Sequence, residues 1–82
     1  MDRPLKYRDL RRILGRFGVL EDKSRGKGSH RMFVGVVGGV LRKFPTACHA
    51  EGDTKPASVV RAFRRAFNLT ADHGVSDNEF YG

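Results

Sequence analysis

Two consecutive glycines, Gly38 and Gly39, separate two stretches rich in β-branched and aromatic residues. A two-residue hairpin loop needs positive φ at its central positions, which glycine adopts at no steric cost. This signal commits the middle of the chain to an antiparallel pair, with His30–Val37 leading in and Val40–Ala47 returning. Pro45 has no N–H to give to a ladder, so the returning strand is expected at a sheet edge. Residues 19–23 can add a short first strand, followed by a polar, glycine-bearing loop over residues 24–28.

On either side of this region the apolar period changes from two to about 3.6. Tyr7, Leu10, Ile13, Leu14 and Phe17 recur at three- and four-residue spacing, which predicts a helix from about Pro4 to Phe17, with a first turn at Pro4 or nearer Lys6. Arg8, Arg11, Arg12 and Arg16 fall on the opposite arc, and Gly18 is placed for a left-handed C-terminal cap. A second helix is expected from about Lys55 to Asn68, with Asp53 or Thr54 as cap and Pro56 in the first turn. Val59, Val60, Phe63, Ala66 and Phe67 form its apolar arc, leaving Arg61, Arg64 and Arg65 outside.

The expected order is therefore α-β-β-β-α. Two amphipathic helices can cover one face of a three-stranded antiparallel sheet and leave the other open, giving a two-layer α+β domain. Residues 1–69 carry this domain. Residues 70–82 lack periodicity and are expected to be loosely ordered unless they dock.

At 82 residues the chain can build one core. Its single cysteine, Cys48, excludes an internal disulfide and reads as a small core or edge residue. No apolar run approaches the roughly 20 residues of a membrane span, and no signal-peptide pattern opens the sequence. The expectation is a soluble, cytoplasmic protein that is a monomer when free. His30, His49 and His73 share no metal-ligand spacing, so no metal or other cofactor is expected.

Charge narrows the partners. Residues 1–69 hold all 16 lysines and arginines against six acids, whereas residues 70–82 hold three acids and no base. A basic body with a sequence pI near 10.3 fits a nucleic-acid binder, because phosphate neutralisation supplies most non-specific affinity. The competing explanation is that the arginines only solvate the helix faces.

Within this basic body, Lys27-Gly28-Ser29-His30 is the stretch with chemistry. Imidazole is the side chain whose unperturbed pKa suits proton transfer near neutrality. Attack of a ribose 2′-hydroxyl on its phosphate needs a base, an acid for the leaving oxygen, and cations against the added charge. His30 can take one proton-transfer role, with Arg25, Lys27 and Arg31 positioning phosphate. Backbone amides near Gly28 can approach a phosphate closely, and Ser29 can donate a hydrogen bond. His49 is a candidate acid-base partner or a bystander in a loop. For His30 itself the alternative is a contact or structural residue with no catalytic role.

The combination has a family likeness. Lys6-Tyr7-Arg8-Asp9-Leu10 on a first helix and Phe17-Gly18 closing it precede Lys27-Gly28-Ser29-His30-Arg31-Met32-Phe33 at the opening of strand two. Over residues 5–69 this resembles the HicA, or YcfA-like, toxin family. The resemblance implies a double-stranded-RNA-binding-like α-β-β-β-α fold and a metal-independent endoribonuclease that cleaves mRNA within a toxin–antitoxin module. It implies His30 as the catalytic residue and a HicB-like antitoxin covering the active surface.

Strand alternation bears on that partner. His30, Met32, Val34 and Val36 project to one face, and Arg31, Phe33, Gly35 and Val37 to the other. If the His30 face is the open one, Met32 and Val34 form an exposed apolar patch of the kind that marks a protein interface. Loops or the tail are the alternative cover. Two further functional readings stand beside the ribonuclease: a non-catalytic RNA-binding module, and an interaction or DNA-regulatory component of a toxin–antitoxin complex.

Overall fold

The computed structural model describes residues 1–22, 30–47 and 50–82. The chain is an α+β domain built on a three-stranded antiparallel sheet of β2 (Leu20–Asp22), β3 (His30–Val37) and β4 (Val40–Ala47), in that order. Helices α1 (Tyr7–Arg16) and α2 (Ala57–Ala66) flank the strands in sequence. The expected α-β-β-β-α order is present, with additions. Two-residue strands β1 (Leu5–Lys6) and β5 (Thr54–Lys55) pair with each other, and a short helix α3 (Asp77–Tyr81) follows a 3₁₀ turn at Ala71–His73.

The hairpin forms where the glycines place it, with φ of 58° at Gly38 and 80° at Gly39. Its register pairs Val37 with Val40, Phe33 with Phe44 and His30 with Ala47. β4 is an edge strand, so Pro45 removes no hydrogen bond from a second neighbour.

Both helices cover one face of the sheet. Phe33 at its centre meets Tyr7 of α1 edge-on at 6.0 Å and Phe63 of α2 at 5.1 Å, and Phe44 meets Phe63 at 4.7 Å. Leu10, Ile13, Leu14, Val19, Val60 and Phe67 complete the buried layer. Gly35 lies in the same plane for want of room: a Cβ there would stand 3.0 Å from Val19 Cγ2 and 3.1 Å from Phe67 Cδ1.

The structure fixes both helix starts. α1 begins at Tyr7, with Lys6 as its N-cap, at the later of the two expected starts, because Leu5 and Lys6 are drawn into the β1–β5 pair. Its first N–H groups need partners, and no side chain caps them. Asp53 O accepts from Tyr7 N at 2.7 Å, and Glu51 O from Arg8 N at 3.2 Å. Asp53 and Thr54 therefore do not cap α2. Pro56 occupies its N-cap position in an extended conformation, and the Asp53 carboxylate instead accepts from Ala50 N at 3.0 Å.

The segment from Thr70 takes the docked alternative. Ser76 caps α3, accepting from Glu79 N at 3.2 Å and donating to the Glu79 carboxylate at 3.1 Å. Phe80 is fully buried and stacks on Phe17, with ring centres 5.9 Å apart. Arg64, expected outside, is 4% exposed and is the post to which this tail is tied. Its guanidinium donates to Asp2 at 2.8 Å, Asp77 at 2.7 Å, Leu69 O at 2.7 Å and Val75 O at 3.1 Å, and lies 4.7 Å from the Phe80 ring centre. An arginine can occupy this place because burial removes it from water only where carboxylates and carbonyls replace the lost hydration.

Candidate functional site

The sheet face away from the helices is where the candidate chemistry lies. β3 alternates so that Phe33 and Gly35 are buried under the helices while His30, Met32, Val34 and Val36 project to the other side. Residues directly opposite in an antiparallel pair share a face, so the register adds Leu20 and Asp22 from β2. Leu41, Lys43, Pro45 and Ala47 join them from β4. No described element packs across this surface. Leu20 is 63% exposed, Val36 69% and Leu41 58%, while Met32 and Val34 are partly buried by their neighbours.

His30 opens β3 at one end of this apolar face. It is exposed, and among the described residues no hydrogen bond or ion pair engages its imidazole. That distinguishes it from a histidine retained for packing, whose polar atoms would be satisfied within the fold. The other ionisable side chains on this face among the described residues are Asp22 and Lys43. Asp22 pairs with Met32, one step along the face from His30, so it stands diagonal to His30 at roughly 7–8 Å between backbones. Lys43 is paired with Val34, two steps along, and is more remote.

Arg31 is placed elsewhere. It projects to the helix side, where its Nη1 donates to Glu21 Oε2 at 3.0 Å. The Glu21 carboxylate is almost fully buried and also faces Arg11 Nη1 at 3.5 Å, which in turn meets Glu51 Oε1 at 2.5 Å. The hydrogen bond that Arg11 donates to Glu51 raises the Arg11 pKa above its ordinary value despite the opposing effect of burial. The chain Arg31–Glu21–Arg11–Glu51 thus ties β3, β2, α1 and the segment before β5 together. Arg31 and His30 are adjacent in sequence but on opposite sides of the sheet.

Arg25, Lys27, Gly28 and Ser29, the other expected phosphate contacts, lie outside the described residues, as do Cys48 and His49. His73 is in the 3₁₀ turn of the docked tail, exposed and remote from the His30 face. It borders an open hollow beside Arg64, shared with Asp2, Arg61, Arg65, Thr70 and Asp77. Of the carboxylates there, Asp2 and Asp77 are already engaged. Burial would raise the Asp2 pKa, but hydrogen bonds from Arg64, Tyr81 and Arg61 outweigh it and hold the group below its ordinary value. The N-terminal ammonium, and after it Arg64, draws Asp77 down to about 2. Among the described residues no group of three or more histidine, cysteine or acidic side chains is placed to hold a metal ion, and no helix is long and apolar enough to cross a membrane.

Two features escape a reading of the sequence by motif. Asp22 shares the His30 face only through the β2–β3 register, which sequence does not supply. The docked tail did leave a signal: Ser76-Asp77-Asn78-Glu79 before Phe80 is a serine with a glutamate three residues on, the pattern of a capped helix start. No protein family, curated protein or solved structure matches this chain.

Proposed function

We propose that the protein is an RNA-cleaving toxin of a toxin–antitoxin module, an endoribonuclease that depends on His30 and needs no metal. The observation that carries this reading is a solvent-facing imidazole, without a partner among the described residues, at the mouth of the central strand of a strongly basic domain. The α1-β2-β3-β4-α2 order agrees with a double-stranded-RNA-binding-like arrangement, and the resemblance over residues 5–69 points to the same activity.

In this reading the scissile phosphate docks at the His30 end of the open sheet face. His30 either removes the proton of the attacking 2′-hydroxyl or protonates the leaving 5′-oxygen. Asp22, on the same face, is proposed to orient or complement it. Arg25, Lys27, Gly28 and Ser29 are proposed to meet the phosphate charge immediately before His30. Arg31 contributes by fixing β3 to β2 rather than by touching RNA.

The apolar part of the same face is proposed to bind a HicB-like antitoxin. A protein seated over Leu20, Met32, Val34, Val36 and Leu41 would remove that surface from water and cover His30 in the same act. Inhibition then follows from occlusion.

The test is cleavage of labelled RNA in the presence of a chelator by the parent protein and by His30→Ala. Loss of one acid-base group is expected to slow cleavage by about 10²–10⁴-fold. The thermal midpoint should be unchanged, because the side chain is exposed. Equal cleavage by a folded His30→Ala protein would refute the assignment. Salt-sensitive binding of RNA that is never cut would favour the non-catalytic RNA-binding module instead.

A further inference from the structure

The acids of this protein are not spread evenly over its arginines. Asp2 and Asp77 converge on Arg64, and Asp2 also meets Arg61. Glu21 and Glu51 take up Arg31 and Arg11. Each of these cations lies against the core or bridges two elements.

The outward side of α1 is treated differently. Tyr7, Leu10, Ile13 and Leu14 face the sheet, which leaves Arg8, Arg12 and Arg16 on the opposite arc, all exposed. They follow one another at four-residue intervals, about 6 Å apart along the helix axis. Like charges at that spacing repel, and the helix gains nothing from them internally. Arg8 and Arg12 have no side-chain partner among the described residues, and Asp9 on the same helix makes no ion pair with either. Arg16 donates to the Glu79 carbonyl at 3.3 Å and lies 5.8 Å from the Phe17 ring centre, but meets no carboxylate among the described residues. On the neighbouring helix Arg65 is likewise exposed and unpaired among the described residues.

A second feature of this surface is Gly15. It lies within α1 on the same outward arc, exposed, and a Cβ there would have nothing within 4 Å. No packing requirement in the fold explains a helix-weakening glycine at this position. What the missing side chain provides is a flat place between arginines where another backbone can come close.

We infer that the outward face of α1, with Arg8, Arg12 and Arg16 around Gly15, is a docking track for the phosphodiester backbone of RNA. Its charge complements a regular row of phosphates, and its spacing lets successive arginines serve neighbouring phosphates on one strand. The track lies across the sheet from His30. It is therefore a second nucleic-acid surface, and it stays open when a protein covers the His30 face. The choice of RNA over other polyanions rests on the ribonuclease reading; the track itself rests on the charge layout alone.

The test is fluorescence anisotropy of labelled RNA, and of DNA of the same sequence, with His30→Ala protein so that no probe is cut. Affinity is measured over a series of salt concentrations. Adding Arg8→Ala and Arg12→Ala removes two phosphate contacts, which should make the log–log salt dependence shallower by roughly 1.5. Binding should weaken by about tenfold or more at 0.1 M salt. Arg8→Lys with Arg12→Lys should restore most of the loss. Lys6→Ala with Arg42→Ala removes the same charge from positions outside both this arc and the His30 face, and should leave binding nearly unchanged. An equal loss in this control pair would reduce the effect to net charge and overturn the proposal, as would unchanged binding in the α1 pair. Tighter binding of DNA than RNA would overturn the choice of ligand. Cleavage by the parent protein is scored separately. A protein that cleaves without needing Arg8 and Arg12 refutes the track alone, and one that binds through them without cleaving refutes the ribonuclease alone.

Discussion

Replacing Arg64 with alanine removes the side chain on which residues 2, 69, 75 and 77 converge, and its cost can be worked from the contacts. The guanidinium is 4% exposed and donates four hydrogen bonds. Without it the Asp2 carboxylate, whose side chain is 11% exposed, loses its principal counter-charge in a place water reaches poorly. Two carbonyls, of Leu69 and Val75, lose a donor as well. Removing one partner of a buried pair costs about 3–5 kcal/mol, and each orphaned buried acceptor about 1–3 kcal/mol. These costs overlap, because the tail can lift and let water in. The lower end, about 3 kcal/mol, is the expected loss. For a domain of 82 residues, total stability is on the order of 4–12 kcal/mol, so the variant is left close to its folding limit. The thermal midpoint should fall by roughly 12–24 °C. Circular dichroism melting at neutral pH reads this directly. Arg64→Lys keeps the charge but loses the planar fork, and should recover only part of the loss. A midpoint within about 2 °C of the parent in Arg64→Ala would refute the argument that Arg64 secures the tail.

Four other outcomes follow from the packing and the charges. The folded-state pKa of Asp77, about 2, lies below its ordinary value, so its stabilising share is complete above about pH 4 and lost as pH falls toward 2. Acid melts of Asp77→Asn should show a shallower fall across that window than the parent, and parallel curves would contradict the pairing. Phe80→Ala removes a fully buried ring stacked on Phe17 and beneath Arg64, and should destabilise by about 3–5 kcal/mol in urea titrations. Gly35→Ala drives a methyl into Val19 and Phe67, two core side chains with little room to move, and should cost about 1–3 kcal/mol by the same measurement. Gly15→Ala meets no neighbour and should stabilise by up to about 1 kcal/mol while weakening RNA binding.

The strands were legible in the sequence because their signals are local. A Gly-Gly pair fixes a turn, and period-two alternation fixes which residues share a face. Both helices were legible in their middles for the same reason. Their first residues were not, because Leu5–Lys6 and Thr54–Lys55 are strands only by virtue of each other, and that pairing joins residues about fifty positions apart. Arg64 was misplaced for a related reason. On a helical wheel it sits beside Arg61 and Arg65 and reads as a solvated cation, and only the approach of Asp2 and Asp77 from the two ends makes its burial tolerable. The His30 face was read correctly as a set of alternating residues, whereas its openness depended on where the tail went. The tail packs on the helix side, against Phe17 and Arg64, and so does not cover that face.

The convergence on Arg64 also sets an order of events. Asp2 lies 62 positions from Arg64 in sequence, while Asp77 lies 13 away. Closing the longer loop requires most of the chain to be in place already, and its entropy is recovered only at the end. The β3–β4 hairpin, closed by two glycines, has no such wait. Folding should therefore begin in the hairpin and finish at the arginine, and unfolding should begin where folding ends. Substitutions at Arg64, Asp2 or Asp77 should then shorten the lifetime of the native state with little change in how fast it is reached. The stretch of chain that decides how long the protein lasts lies on the far side of the sheet from the face proposed to act on RNA.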